Sequence, residues 1–186
     1  MQEEATSIKK VYKEIQSAIS KLIPEKWESI YLYASVINGR NGEMFFYYFP
    51  RKILKHKPIN CYEIPSKFGI DEKAYNEALE KLYAKIKNLN HLTKGRWTNI
   101  TLTIANNIFS IEYYYNNLEH SMYTDEERHI VWNHKYLKTP IDSFNEKEKQ
   151  LIESYEEESS IKPTIYTEGL YKIDEVQEVR NQILKY

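Results

Sequence analysis

Two segments of this chain alternate apolar and polar residues with a period of two, and each doubles back through a polar turn. In WESIYLYASV, Ile30, Leu32, Ala34 and Val36 alternate with Ser29, Tyr31, Tyr33 and Ser35; NGRNG follows, and EMFFYYF runs to Pro50. Successive strand residues point to opposite faces, so the pattern demands a sheet buried on at least one side, and turn residues that tolerate positive φ make the pair a hairpin. The unit recurs. Ile100, Leu102 and Ile104 alternate with Thr101 and Thr103, Asn106-Asn107 turns the chain, and IFSIEYYY places Phe109, Ile111, Tyr113 and Tyr115 on one face.

Helical spacing fills the gaps. Ile8, Val11, Tyr12, Ile15, Ile19 and Leu22 share one helix face that Pro24 ends, and Asp71 can cap a second helix whose face holds Tyr75, Ala78, Leu79, Leu82, Ile86 and Leu89. The segment RKILKHKPINCYEIPSKFG is broken by proline and glycine, leaving room only for a short strand near Cys61 and Tyr62. Beyond Asn116 the chain reads as helical and acidic. Thr124 with Glu127 and Ser143 with Glu146 have capping-box spacing, for helices reaching about Lys138 and Glu158. A loop holding Pro163 and Gly169 then leads to a short helix from about Asp174. The expected fold is α+β: a four-stranded antiparallel sheet of two hairpins, flanking helices and a C-terminal helical portion. A single domain is expected over residues 1–186, with a core over 1–140 and an acidic helical extension over 141–186.

Composition narrows the function. With 26 Lys plus Arg against 27 Asp plus Glu, the net charge of −1 favours neither nucleic acid nor a membrane surface. Charge is nonetheless uneven, since residues 1–70 carry 11 basic and 7 acidic groups whereas 141–186 carry 6 and 11. One cysteine, Cys61, excludes a disulfide framework and suits a reducing compartment. The polar start MQEEATSIKK is unlike a signal peptide, and no apolar run reaches the ~20 residues of a membrane span. A cytoplasmic protein is expected, with no membrane partner.

Chemistry-bearing patterns are scarce. The histidines at 56, 91, 120, 129 and 134 lack the i, i+4 spacing of a helical zinc pair, and no nucleophile elbow, P-loop or dinucleotide fingerprint occurs. Nothing points to an enzyme, a cofactor or a metal site. The basic cluster Arg51, Lys52, Lys55, His56 and Lys57 supports an alternative function, a nucleic-acid-binding or regulatory module. Lysines after a strand also simply keep an edge soluble, and the net charge opposes a phosphate-led affinity, so no nucleic-acid partner is expected.

The stretch IEYYYNNLEHSMYTDEE is more informative. Alternation cannot bury Tyr113, Tyr114 and Tyr115 on the same face. Two readings stand: tyrosines completing an amphipathic sheet beneath a helix, or a protein-binding surface in which carboxylates meet a basic partner and aromatics anchor it. The binding reading selects Glu112, Tyr114, Tyr115, Glu119, Tyr123, Asp125, Glu126 and Glu127.

The run VYKEIQSAISKLIPEKWESIYLYASVINGRNGEMFFYYF resembles the YezG/EsaG-like family of bacterial antitoxin (immunity) proteins, through Tyr12, Ile15, Ile19, Ile23, Pro24, Trp27, Tyr31, Gly42, Glu43, Phe45, Phe46 and Tyr47. Arg128, Trp132, Lys135, Tyr136 and Pro140 resemble the family's late pattern, whereas RKILKHKP and the acidic tail from Glu146 depart from it. The resemblance implies a cytoplasmic immunity protein. Its partner would be the nuclease domain of a cognate polymorphic toxin, typically an LXG-type toxin exported by type VII secretion. Inhibition could occlude the active site or deform the nuclease, and the sequence leaves both these and the oligomeric state open. With no ligand spacing in the chain, treatment with a chelator is expected to leave the far-UV circular dichroism unchanged; a collapse of the helical signal would overturn this.

Overall fold

The computed structural model describes residues 2–37, 42–51, 57–94, 97–158 and 162–169. Its sheet is antiparallel throughout and has six strands: β1 (Trp27–Ser35), β2 (Met44–Pro50), β3 (Ile59–Asn60), β4 (Asn99–Ala105), β5 (Ile108–Tyr114) and β6 (Thr164–Gly169). They lie in the order β3-β2-β1-β4-β5-β6. The helices are α1 (Gln2–Leu22), α2 (Ile64–Phe68), α3 (Glu72–Leu92), α4 (Asp125–Leu137) and α5 (Glu146–Glu158).

The α+β class and both hairpins agree with expectation, but four strands is corrected to six. The expected strand near Cys61 lies slightly earlier, where Ile59 and Asn60 pair with Tyr48 and Tyr47. Asn60 then accepts the N–H of Tyr62 and turns the chain, so Cys61 and Tyr62 belong to a 3₁₀ turn. The sixth strand replaces an expected loop. Pro163 and Gly169 bound this segment rather than break it, and TIYTEG pairs along β5 from Tyr113↔Thr164 to Ile108↔Gly169. The turn expected at 38–41, residues 52–56 of the basic segment and the helix expected from Asp174 lie outside the described residues.

Local chemistry sets several boundaries as read. Asp71 Oδ1 accepts the N–H of Ala74 at 2.7 Å and caps α3. Asn106 and Asn107 take φ of 51° and 61°, the paired positive values of a tight hairpin turn. Thr124 and Glu127 form the expected capping box on α4. The second box is displaced: after Pro140 the N–H of Ser143 is drawn back to the Pro140 carbonyl, so Asn145 and Glu148 exchange the reciprocal bonds instead, at 2.8 and 3.0 Å. Gly42 answers to space. A Cβ there would sit 1.9 Å from the Ser35 carbonyl oxygen and 2.3 Å from the Tyr83 hydroxyl, which itself donates to that carbonyl.

Each sheet face has its own cover. Ile30, Leu32, Phe46, Tyr48, Leu102, Phe109 and Ile111 point to the side where α1 and α3 pack together, and all are buried. Tyr12 of α1 reaches Phe109 at 5.7 Å between ring centroids and Tyr166 at 4.6 Å, and its hydroxyl meets that of Tyr113 at 2.6 Å. The opposite face presents Tyr33, Phe45, Tyr47, Thr101, Glu112 and Tyr114 to α4. Its 13 residues span only about 20 Å, so Tyr31, Phe49 and Thr103 beyond it are half-buried. Cys61 is buried, accepts the N–H of Phe46 at 3.4 Å, and has its thiol pKa pushed up to about 12 by burial; it is a core residue.

Trp27 and Phe46 are both buried, as expected of structural residues. Phe46→Ala or Trp27→Ala should each cost about 3–5 kcal/mol, measured by denaturant unfolding. An unchanged unfolding midpoint would show that the ring is not held in the core.

Candidate functional site

The eight residues singled out in the sequence fall into three groups. Glu112 and Tyr114 leave β5 on the face covered by α4, and both are half-buried. Glu112 Oε2 accepts the hydroxyls of Tyr114 at 2.9 Å and Tyr136 at 2.8 Å, and those two hydroxyls also bond each other. Lys135 Nζ donates to Tyr114 at 2.9 Å and lies 5.0 Å from the Tyr136 ring centroid. Burial raises the pKa of both phenols, Tyr114 and Tyr136. This cluster ties β5 to α4 and spends its polar groups inward. The two tyrosine readings are therefore divided along the stretch, with Tyr114 serving packing.

Tyr123, Asp125, Glu126 and Glu127 form the second group, at the start of α4. Glu127 Oε2 accepts the Thr124 N–H at 2.8 Å, and this bond holds its carboxyl below the ordinary range. Asp125 pairs with Arg128, whose guanidinium also donates to the Tyr123 carbonyl. Three acidic side chains in a first helical turn suit the positive end of the helix dipole. Glu126 is fully available: it is exposed and makes no described bond. Tyr123 reaches across to α5, donating to Glu158 Oε2 at 2.7 Å and meeting Tyr155 edge to face at 5.0 Å. That hydrogen bond pushes its pKa up to about 12.

Glu119 and Tyr115 stand apart, in the loop between β5 and α4. Both are exposed, Tyr115 by 45%. In the same loop Met122 is 80% exposed, a large apolar side chain that the sequence reading passed over. Tyr155 was also passed over, while Tyr136 stood out only within the late family pattern and Glu158 only as the end of an acidic helix. Helix periodicity marks their helices but carries no sign of which distant tyrosine each one meets. Of the basic cluster, only Arg51 and Lys57 are among the described residues; both are exposed, and Lys52, Lys55 and His56 lie outside them.

A second polar group borders the start of α4. Glu43, after the first hairpin turn, is half-buried, and burial raises its carboxyl pKa with a further push from Asp125, opposed by Arg128. His129 lies flat on Phe45 with ring centroids 4.0 Å apart, its Nε2 3.3 Å from the Tyr47 hydroxyl, and burial lowers its pKa. The groups could hold a proton, but among the described residues no cluster of His, Cys, Asp and Glu has the geometry for a metal ion. The lowered His129 value means that the unfolded chain binds more protons than the folded one as pH drops below about 6.5, so the contribution of neutral His129 is complete above that pH and is lost as pH falls toward the folded value. His129→Gln should flatten the fall in melting temperature between about pH 7 and pH 5 relative to the native chain. Parallel curves for the two proteins would refute this.

The family described as "Immunity protein YezG-like" matches residues 8–153, from α1 to α5. The chain is 29% identical over 132 residues to "Immunity protein YezG" of Bacillus spizizenii, covering 68% of this chain and 80% of that protein. It is 27% identical over 150 residues to the Bacillus subtilis "Immunity protein YezG", covering 78% and 96%. Over 92 residues it is 33% identical to the "Type VII secretion system protein EsaG" of Staphylococcus aureus, covering 47% and 52%. The matched span holds both hairpins, the helices on either sheet face and the acidic start of α4, and the chain belongs to the YezG-like family of immunity proteins.

Proposed function

We propose that this chain is a cytoplasmic, non-catalytic antitoxin that binds and neutralises the nuclease domain of a cognate toxin, of the LXG type exported by type VII secretion. Membership of an immunity-protein family supports the antitoxin role, exercised by binding a toxin protein. A nuclease must hold a phosphodiester and therefore carries an electropositive surface, which defines the chemistry a tight inhibitor has to present. The chain acts as one domain without a cofactor.

The observation that carries the reading is the contact of Tyr123 with Glu158 and Tyr155. It joins two acidic segments far apart in sequence, the loop and first turn around Glu119, Asp125 and Glu126, and the end of α5. Glu156, Glu157 and Glu158 close α5 at the negative end of its dipole, with no basic residue in the last turn. These carboxylates oppose the helix end, and Glu153, one turn earlier, lies beside Glu156 and Glu157, where like charges repel. A sequence shaped for stability alone would put lysines there, so the arrangement favours a basic partner. Among the eight residues, Glu119, Asp125, Glu126, Tyr115 and Tyr123 meet that partner, while Glu112, Tyr114 and Glu127 hold the surface in place. Met122 adds an apolar anchor.

Steering and anchoring separate kinetically. Reversing Glu119, Glu126 and Glu157 to Lys should slow association with a catalytically dead nuclease domain by about tenfold or more at low salt, with the gap closing as salt is added. Tyr115→Ala and Met122→Ala should instead quicken dissociation. Surface plasmon resonance reads both rates, and thermal melting checks the fold of each variant. An unchanged association rate in the charge-reversed protein would remove this surface from the interface.

A further inference from the structure

On the sheet face opposite α4, α1 and α3 run side by side and leave a groove of about 600 Å³ along their outer seam. Its floor is aliphatic: half-buried Ala18 and Ala78 face the groove over the core side chains of Leu22 and Leu82, which are themselves buried. Its walls are lysines: Lys10, Lys13 and Lys21 from α1, Lys81 and Lys85 from α3. One carboxylate, Glu14, enters the lining and is taken by Lys85 at 3.0 Å. Among the described residues Lys10, Lys13, Lys21 and Lys81 have no ion-pair partner.

The lysines are not a by-product of a generally solvated helix. On α3, Glu72, Glu77 and Glu80 line a different surface together with Lys73, so the helix keeps its carboxylates off the groove while Lys81 and Lys85 face it. Lys10 with Lys13, and Lys81 with Lys85, lie one turn apart, where like charges repel. Ala18 and Ala78 keep the floor low, which lets another backbone approach closely. An aliphatic trough between two parallel cationic walls complements a helix that carries an apolar stripe flanked by carboxylates.

Other occupants fit less well. A nucleic acid would meet a floor without aromatic rings to stack bases and walls without an arginine fork for phosphates. A bilayer would meet a recess where it needs a protruding apolar face. A second copy would have to offer its acidic α5, whose apolar side is already committed to its own fold through buried Ile152 and through Tyr155.

We infer that the groove between α1 and α3 is a second protein-docking surface, which takes an acidic amphipathic helix of a partner protein. It lies across the sheet from the acidic surface assigned to the nuclease and does not rest on that assignment. An immunity protein so built holds two partners, or two segments of one partner, at once.

The test uses the full chain and a fluorescein-labelled, hydrocarbon-stapled peptide of about five helical turns, with leucines at i, i+3, i+4 and i+7 flanked by glutamates. Fluorescence anisotropy should give saturable binding, and NMR shift changes should map to Ser17, Ala18, Ala78 and the groove lysines. Lys13→Glu with Lys81→Glu should weaken binding at least about tenfold, and the milder Lys13→Gln with Lys81→Gln should fall between, each with an unchanged circular dichroism spectrum. A peptide of the same composition with the stripe scrambled should bind at least about tenfold more weakly than the designed one. Equal binding by the scrambled peptide, equal binding by the variants, or shifts mapping elsewhere would overturn the proposal. So would tighter binding of a single-stranded oligonucleotide or of phosphatidylserine vesicles through the same lysines, or loss of a dimer in the variants on gel filtration. The variants should keep the native association rate with the nuclease domain, so that failure of the acidic-surface reading and failure of this one are seen separately.

Discussion

The indole of Trp132 fixes the geometry on which the acidic surface depends. Thr101 sits in the central strand β4 with 2% of its surface exposed, so its hydroxyl cannot reach bulk water and needs a partner within the protein. Trp132 Nε1–H donates to Thr101 Oγ1 at 2.9 Å, and the same ring lies 5.2 Å from Phe45, 6.1 Å from Tyr47 and 5.4 Å from Tyr136 between centroids. A directional hydrogen bond inside a ring of aromatic contacts sets both the height and the rotation of α4 over the sheet. His129, one turn earlier, then falls on Phe45, and Tyr136, one turn later, falls on Glu112. The first turn of α4, with its three carboxylates, is left at the edge of the sheet.

The abundance of tyrosine follows from the same demand for paired polar groups. Several of the 17 tyrosines turn the ring inward and have the hydroxyl met inside the fold: buried Tyr12 with Tyr113, buried Tyr48 with Glu25, and half-buried Tyr136 with Glu112. Tyr83 does the same from a half-buried position, reaching the Ser35 carbonyl at 2.8 Å. Phenylalanine would fill the same volume but leave those acceptors or donors unmatched. A high tyrosine content is therefore not by itself the mark of a binding surface. Much of the tyrosine serves as core with a hydrogen-bonding tip, and exposed Tyr115 is closer to what an interface requires.

What the sequence disclosed was what neighbouring residues decide among themselves. The paired asparagines at 106 and 107, the Asp71 cap, the Thr124 and Glu127 box and the period-two runs all act within a few positions, so their elements were legible from type and spacing. The errors arose where a distant or competing interaction decided. TIYTEG becomes a strand only by pairing with β5, about 50 residues earlier, and its flanking proline and glycine mimic a loop. Ser143 has the right spacing to Glu146 for a cap, yet the 3₁₀ turn after Pro140 takes its N–H first. For the candidate site, alternation separated Tyr114 from Tyr113 but could not say that α4 would cover the Tyr114 side. Glu112 and Tyr114 accordingly turned inward, and the partners that fixed them, Lys135 and Tyr136, stood more than 20 positions away.

The sixth strand also bears on how the family pattern and this chain's own tail fit together. The family match ends at residue 153, before β6, so the sheet that family members share need extend only to β5. An exposed β5 would present unpaired backbone groups along its edge, a template for pairing with other chains. Here β6 covers that edge over six paired positions, and Tyr166 packs on Tyr12, which belongs to the family motif itself. The tail is thus bound into the sheet on the α1 side at the same time as α5 is bound to α4 on the other. Because α5 and β6 are consecutive in the chain, the acidic end of α5 is tethered at both ends: by Tyr123 and Tyr155 before it and by the strand after it. A carboxylate cluster that would fray an isolated helix end is held in place by its neighbours, and it keeps its negative charge directed outward.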